Sequence, residues 1–245
     1  MHATLTIMRR ELGAYFNTPI GYVFMVFFLV ISKALYVLNS LFIQGVAEMR
    51  DYFGLLPILF LFFLPAVSMR LWSEERKLGT LELLLTFPIR TWHAVAGKFL
   101  AGMVFLAVTL FLTTDLVLML RVLLAAPNVS LDYGAIAGGY VGALCLGMVY
   151  LAVGSFASSL TGDQIVAFVI GATLNGLLFL ISFPLFVNFI RDFSPRLSVA
   201  VTRFGVGYHF DSIARGVLDS RDLVYMLSMT VFFLFLNVLV IERRR

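Results

Sequence analysis

Charged residues are scarce in this sequence, and their scarcity excludes most water-soluble folds. Lys, Arg, Asp and Glu make up 13% of the 245 residues, whereas a soluble domain usually carries about 25%. Hydrophobic residues account for 61% of the chain, and its mean hydropathy is +0.98. A soluble protein with a very large core is excluded by run length, because several apolar runs approach or exceed the roughly 20 residues that cross a bilayer as a helix. The composition therefore predicts an integral membrane protein.

The apolar runs also lack the alternation of polar and apolar residues that marks the strands of a membrane β-barrel. Since backbone groups in lipid must form their hydrogen bonds within the protein, these runs are expected to be helices. The chain has a single cysteine, Cys145, inside one of the runs, so no disulfide can form within it. We interpret Cys145 as a small buried apolar residue. The predicted fold class is an all-α integral membrane protein.

Several motifs of enzyme chemistry are absent. The three histidines are scattered, and no cluster of Cys, His and Asp has the spacing of metal ligands. No serine lies in a G-x-S-x-G nucleophile motif. Residues 96–99, Ala-Gly-Lys-Phe, resemble the end of a phosphate-binding loop, but Trp92 replaces its first glycine and Phe99 its hydroxyl residue. The sequence therefore predicts no catalytic residue, no metal site and no cofactor bound by this chain.

Six long apolar runs are present, and they predict six transmembrane helices in one domain over residues 1–245. The predicted spans cover residues 20–41, 53–72, 94–118, 133–158, 165–190 and 223–241. An amphipathic segment over residues 5–16 is predicted to form a helix in the membrane interface. Apolar residues at helical spacing over 210–218 predict an outer amphipathic helix before the sixth span, either as a surface connector or as a lid over a transport path.

Basic residues indicate the orientation of the chain. With six spans, both termini lie on one side, and that side carries the larger share of Lys and Arg. Arg9, Arg10 and the terminal Arg243–Arg245 lie directly beside the ends of spans. Because basic residues accumulate on the cytoplasmic side of a membrane, the sequence predicts that both termini are cytoplasmic.

The loop between the second and third predicted spans, residues 70–90, contains its own short helix. Gly79 weakens any continuation of the preceding helix, and Thr80 is a favourable residue at a helix start. Glu82 falls in the first turn, where the helix dipole favours an acid. Leucines form an apolar face, and Pro88 ends the helix. An apolar face bordered by charge often marks a partner site, although an ordinary connecting loop is the alternative.

The stretch EERKLGTLELLLTFPIRTWHAVAGK, residues 74–98, resembles the loop between the second and third spans of ABC transporter permeases of the type-2 exporter class (ABC-2 type). The matching positions are Glu74, Glu75, Gly79, Thr80, Glu82, Leu83, Leu84, Leu85, Pro88, Gly97 and Lys98. The stretch from His209 to Thr230 and the stretch YFNTPIGYV near the start are similar to the gliding-motility-associated branch of this class. The resemblance extends over most of the chain, and the class also has six spans.

The resemblance implies that the loop helix is a coupling helix, which docks in a groove of a separate cytoplasmic ABC ATPase subunit. Two copies of that ATPase would bind ATP and magnesium, and their closure would pull on two permease halves. The implied docking residues are Gly79, Thr80, Glu82, Leu83, Leu84 and Pro88, with Glu74 and Glu75 as the link to the second span. The chain would then be the permease of an ATP-driven exporter and would not itself be an enzyme.

The resemblance also implies partners and a location. A six-span chain of this class is half a transporter, so a second permease, identical or paralogous, is expected. The complex would lie in the lipid of the bacterial inner membrane, with a periplasmic auxiliary protein as a further expected partner. No nucleic-acid partner is expected.

Lys33 and Asp115 are the charges most clearly inside predicted spans. Charged residues within a membrane are usually functional, and counting about 1.5 Å per residue places both in the outer half of the bilayer. The sequence therefore leads to the hypothesis of an intramembrane ion pair, Lys33 with Asp115. In the alternative, Lys33 extends outward and Asp115 reaches the aqueous edge.

Two other functions are compatible with the same residues. A force-transmitting ABC subunit would act on a periplasmic partner without passing a substrate, and it shares every sequence feature of the exporter. A membrane-embedded enzyme would use the Asp, Arg and His residues of 191–222. The spans show no polar track, which favours a lipid-linked or amphipathic cargo, or none.

Overall fold

A computed structural model describes residues 2–44, 48–86, 90–123, 132–216 and 219–243. All regular structure within these ranges is helical. The helices are α1 (His2–Asn17), α2 (Pro19–Tyr36), α3 (Met49–Ser68), α4 (Arg70–Lys77), α5 (Thr80–Thr86), α6 (Thr91–Phe111), α7 (Asp115–Leu123), α8 (Tyr133–Leu160), α9 (Gln164–Leu180), α10 (Pro184–Phe193), α11 (Pro195–Phe204), α12 (Val206–Ala214) and α13 (Ser220–Glu242). A π-helical segment, Val37–Gln44, continues α2, and a 3-10 turn, Leu112–Thr114, separates α6 from α7.

Five helical stretches in the described part of the chain are long and apolar enough to cross a membrane. They are Pro19–Ser40, Met49–Lys77, Thr91–Val122, Tyr133–Leu160 and Ser220–Glu242. A sixth apolar helix, α9, has 17 residues, which is short of the roughly 20 that cross a bilayer. The prediction of an all-helical, multi-pass membrane protein is confirmed, while the layout of six spans stays a prediction.

The predicted continuous helix over residues 165–190 is wrong. Helix α9 ends at Leu180, and α10 begins at Pro184 after a short turn. Phe183 has φ −72° and ψ 132°, the extended conformation that a following proline imposes. Pro184 then fits the first turn of the next helix, where its missing N–H costs no helical hydrogen bond. Proline therefore ends one helix and starts another within this apolar run.

Helix α8 forms the centre of the bundle. In the most apolar stretch of α8, 67% of the residues are buried inside the protein, whereas in that of the span containing α2 only 28% are buried. Glycines allow neighbouring helices to approach α8 closely, because a Cβ at Gly147 would collide with Leu106 and a Cβ at Gly154 with Ser68. Helix α2 lies at the periphery and exposes large apolar side chains such as Val23 and Phe27, as expected of a helix that faces lipid.

Helix α1 packs its apolar side against the bundle. Tyr15 is buried, its ring lies 4.9 Å from that of Phe105, and its hydroxyl donates a hydrogen bond of 2.8 Å to the backbone oxygen of Val67. The guanidinium of Arg70 lies over the same ring at 4.4 Å. Tertiary contacts therefore hold α1 in place, and its position in a membrane interface stays a prediction.

The predicted amphipathic helix over 210–218 begins and ends four residues earlier than expected, because α12 covers Val206–Ala214. Helix α12 ends at Ala214, and Gly216 has a φ of +84°, which stops a right-handed helix. Phe210 and Ile213 are buried, and a Cβ at Gly142 of α8 would collide with Ile213. The apolar stripe therefore packs on protein and not on lipid. Residues 217 and 218 lie outside the described residues.

Candidate functional site

The loop helix α5 follows directly from the third helix through α4. Helices α3 and α4 join into one helical stretch, Met49–Lys77, and Met69 N donates a hydrogen bond of 2.8 Å to Pro65 O across the junction. Helix α4 stops because Gly79 adopts a φ of +71°, a left-handed conformation that glycine adopts without steric cost. The chain therefore changes direction sharply between the span and α5.

Helix α5 begins at Thr80, whose hydroxyl donates a hydrogen bond of 3.2 Å to Glu75 O. Glu82 is exposed in its first turn. Leu83 and Leu84 belong to the helix by backbone conformation. Pro88 lies outside the described residues. Of the docking residues that the resemblance implies, those within the described ranges therefore lie either in the turn after α4 or in α5.

A buried ionic cluster joins α4 to two other helices. Lys98 of α6 is 1% exposed, and its Nζ lies 3.0 Å from Oε1 of both Glu11 and Glu75. The same ammonium donates a hydrogen bond of 2.7 Å to Leu71 O and lies 4.9 Å from the centre of the Trp72 ring. Two hydrogen bonds and an ion pair with each carboxylate thus surround this ammonium, and such partners are what a buried charge requires.

Arg10 completes the cluster from its exposed side. One nitrogen, Nη2, lies 2.6 Å from Oε1 of Glu75 and 2.8 Å from Oε1 of Glu11. Two carboxylates and two cations therefore balance each other, and they come from α1, α4 and α6. Glu74, the other predicted link residue, is exposed and does not enter the cluster.

The cluster changes the ionisation of its members. Burial opposes the charge on Glu11, but the attraction of Lys98 and hydrogen bonds from Arg10 and Lys98 outweigh it, so the pKa of Glu11 is lowered. The hydrogen bond from Arg10 to Glu11 raises the pKa of Arg10. Both groups are therefore held in their charged forms at neutral pH.

Helix α8 holds the other side of α4 through one serine. Ser158 Oγ accepts hydrogen bonds from Trp72 N at 3.0 Å and Ser73 N at 3.1 Å, and it donates one of 2.6 Å to Met69 O. The first N–H groups of a helix lack partners within that helix. Ser158 therefore serves as a cap supplied by another helix, and it fixes the start of α4 against α8.

Two further contacts extend this attachment. Ser155 Oγ accepts hydrogen bonds from Trp72 Nε1 at 3.3 Å and from Asn237 Nδ2 at 2.9 Å, which brings α13 to the same place. Arg76 Nη1 donates a hydrogen bond of 2.7 Å to Leu160 O at the end of α8. Helix α4 is thus bound to α1, α6 and α8.

Sequence reasoning missed the partners of this site. Arg10 and Glu11 resemble ordinary polar residues of a surface helix, and Ser155 and Ser158 resemble small residues of a packed span. Glu11 and Lys98 are 87 positions apart, so no local spacing connects them. The usable signal was Lys98 itself, a cation at the start of an otherwise apolar helix.

The structure also brings Lys33 and Asp115 together, at the opposite end of the bundle. Lys33 Nζ lies 2.5 Å from Asp115 Oδ2, with the two side chains 28% and 58% exposed. Asp115 is the first residue of α7, after the 3-10 turn that interrupts the third apolar stretch. The pair therefore connects α2 to the point where that stretch changes helix type.

The described part of the 191–222 segment is not arranged like a hydrolytic site. His209 Nδ1 lies 2.6 Å from Asp222 Oδ1, and His209 Nε2 lies 2.9 Å from Arg203 O. Both ring nitrogens are thus engaged by acceptors, so neither is available to take a proton from a nucleophile. This geometry argues against a membrane-embedded enzyme that uses His209 as its base.

Comparison with known proteins gives the family. The sequence pattern described as "ABC-2 family transporter protein" matches residues 41–241, which includes α3 to α13. A comparison with curated proteins found no match. The match shows the family and leaves the gliding-motility-associated branch as a prediction. The chain therefore belongs to the ABC-2 transporter family, whose members are multi-pass permease subunits of ABC transporters and not nucleotide-binding enzymes.

Proposed function

We propose that this chain couples ATP hydrolysis in a separate cytoplasmic ATPase to export across the inner membrane, with α5 as the docking helix. Permeases of this family generally work with a cytoplasmic ABC ATPase. The observation that carries the proposal is the buried cluster of Lys98, Glu11 and Glu75. It fixes α4, and with it the base of α5, to the rest of the bundle.

Force applied to α5 has a defined route into the membrane helices. Helix α4 continues α3, so a displacement of α5 acts on that span directly. The contacts of Glu75 with Lys98 and of Ser158 with Trp72 pass the same displacement to α6 and α8. A loop without these contacts would absorb the motion, because a flexible connection transmits little force.

The proposal includes the composition of the complex. Two ATPase copies bind ATP and magnesium, and a second permease, identical or paralogous, completes the transporter. Gly79, Thr80, Glu82, Leu83, Leu84 and Pro88 form the docking element. Both termini face the cytoplasm of a bacterial cell, and the cargo is lipid-linked or amphipathic.

Co-purification with the ATPase tests the docking helix. We expect Leu84→Asp and Glu82→Arg each to abolish association, because they place or invert charge at the docking surface. Arg121→Glu, a charge reversal on exposed α7, is the matched control and should leave association unchanged. Unchanged ATPase binding in both α5 variants would overturn the proposal.

A force-transmitting subunit that moves a periplasmic partner is the second candidate. It is favoured by the close packing of α8, in which Leu146 and Tyr150 are fully buried, so that the described bundle is filled at its centre. Vesicles that contain the complete complex would separate the two functions. ATP-dependent release of a lipid-linked cargo supports export, while ATP-dependent movement of a bound periplasmic protein without release supports force transmission.

A further inference from the structure

A polar pocket of about 550 Å³ opens between α11, α12 and the start of α13. It lies at the end of the bundle opposite α5, because Asn237, near the other end of α13, contacts Ser155 beside α4. Its volume falls within the roughly 300–1,000 Å³ of small-molecule sites. The coupling function proposed above does not use this pocket.

The three carboxylates of the pocket are already engaged by the chain. Asp211 forms an ion pair with Arg215. Asp219 accepts a hydrogen bond of 3.0 Å from the backbone N–H of Arg221, and Asp222 Oδ1 lies 2.6 Å from His209 Nδ1. Each acid thus has a hydrogen-bond partner, while the lining as a whole holds three carboxylates and three arginines. The guanidinium groups of Arg203 and Arg221 take no part in these contacts.

Two arginines of the pocket remain available. Arg203 at the end of α11 and Arg221 at the start of α13 both line it, and neither guanidinium forms an ion pair within the described ranges. A guanidinium presents a planar fork of N–H donors that fits a phosphate with two hydrogen bonds. The pocket therefore carries unused cationic donors suited to a phosphate.

Contacts between α11 and α13 position these two arginines. His209 Nε2 donates a hydrogen bond of 2.9 Å to Arg203 O, and Tyr225 donates one to the backbone oxygen of Phe204. The rings of His209 and Tyr225 stack at 4.0 Å. The end of α11 is thereby held beside the start of α13.

An exposed apolar stripe continues from Arg221 along α13. Val224, Val231 and Phe235 are 64%, 57% and 55% exposed, and they follow Arg221 by three, ten and fourteen residues. At 3.6 residues per turn these positions lie on the same side of the helix as Arg221. Helix α13 is apolar enough to cross a membrane, so this stripe lies at the depth of lipid tails and Arg221 at the depth of headgroups.

We propose that the pocket binds the headgroup of an anionic phospholipid, with its phosphate on Arg203 and Arg221. The acyl chains then lie along Val224, Val231 and Phe235. Two guanidinium groups without carboxylate partners favour a phosphate that has no cation in its own headgroup, and the continuous apolar stripe favours a lipid over a free anion. A bound lipid would tie α11 to α13 at the end of the bundle away from the ATPase.

Native mass spectrometry of the purified chain tests this site. Phosphatidylglycerol and phosphatidylcholine with identical acyl chains are the probes, and inorganic phosphate is added in a separate arm. We expect wild type to retain phosphatidylglycerol in preference to phosphatidylcholine, and the double variant Arg203→Gln, Arg221→Gln to lose this preference by at least about tenfold. Arg121→Gln, an exposed arginine outside the pocket, is the matched control and should bind as wild type does.

Charge and folding controls complete the experiment. The double variant Arg203→Lys, Arg221→Lys keeps both charges and should keep part of the preference, and gel filtration checks that each variant is folded. Equal lipid retention by wild type and the glutamine double variant would overturn the proposal. Displacement of the lipid by millimolar phosphate would overturn it too, because the site would then be one for a free anion.

Discussion

The two ends of the bundle differ in how deeply their ion pairs are buried. Near α5, Lys98 is 1% exposed and lies between Glu11 and Glu75. At the opposite end, the pair of Lys33 and Asp115 is open, with the carboxylate 58% exposed. A buried charge without its partner is strongly unfavourable, whereas solvent screens an exposed one. The cluster at Lys98 is therefore better suited to hold helices rigidly together than the exposed pair of Lys33 and Asp115.

This contrast fits the different functions that we propose for the two ends of the bundle. The end that would receive force from the ATPase under this proposal is held by contacts among α1, α4, α6 and α8. The other end carries exposed charges and a pocket, and its helices are short between α9 and α13. Rigidity at the first end would transmit motion, and the pocket at the second end would bind a ligand.

The largest expected effect is that of Lys98→Met. It removes the buried cation that Glu11 and Glu75 share and leaves them only the exposed Arg10, and removing one partner of a buried ion pair costs about 3–5 kcal/mol. We expect a free energy of unfolding lower by about 3 kcal/mol or more in detergent, measured by denaturant titration. Lys33→Met is the control, and it should lower the free energy of unfolding by about 1 kcal/mol or less. Equal losses in the two variants would remove the contrast between the ends.

The second effect concerns Glu11 and pH. Its pKa is lowered in the folded chain from a usual value of 4.5, so its stabilising contribution is present above that value and is lost as the pH falls through the lower folded pKa. At neutral pH, Glu11→Gln should lose about 1.5–3 kcal/mol, the range for hydrogen bonds to charged groups. The difference from wild type should shrink below pH 4.5, as thermal unfolding in detergent would show. A difference that stays constant with pH contradicts the role of the carboxylate charge.

The third effect concerns the turn before α5. Gly79→Ala forces a side chain into the left-handed region and should cost about 1–2 kcal/mol, mainly in the order of α5 and therefore in ATPase binding. Gly13→Ala is the control, since Gly13 lies within α1 and a Cβ there would have Asn17 at an ordinary distance of 3.6 Å. It should be neutral or slightly stabilising. Affinity for the ATPase, measured by surface plasmon resonance, distinguishes the two.

The smallest effect is expected at the exposed pair. Lys33→Asp or Asp115→Lys alone should cost about 1 kcal/mol or less, and the two together should restore stability because the opposite charges face each other again. Thermal unfolding of both single variants and the double variant measures this. If the double reversal fails to rescue the single ones, the contact does not stabilise the protein.

Much of the fold could be predicted from the sequence, since apolar run length indicates helices in lipid and Gly79 marks a break. The helix boundaries within 165–190 could not, because a proline in an apolar run is compatible with either a kink or a break. Of the candidate site, Glu75 and Lys98 belong to a motif that resembles the family. Glu74 belongs to the same motif, yet it is exposed, and the motif does not distinguish the two acids.

The sequence by itself determined the helical, membrane-embedded character of the chain and the sharp turn before α5. These follow from hydrogen bonds and conformational preferences within a few residues, so local residues suffice to decide them. Tertiary structure alone decided that Glu11 meets Lys98 and that Ser158 meets Trp72, pairs 87 and 86 positions apart. Such pairs depend on which faces of α1, α4, α6 and α8 pack together, and packing is set by side-chain shape across the whole bundle.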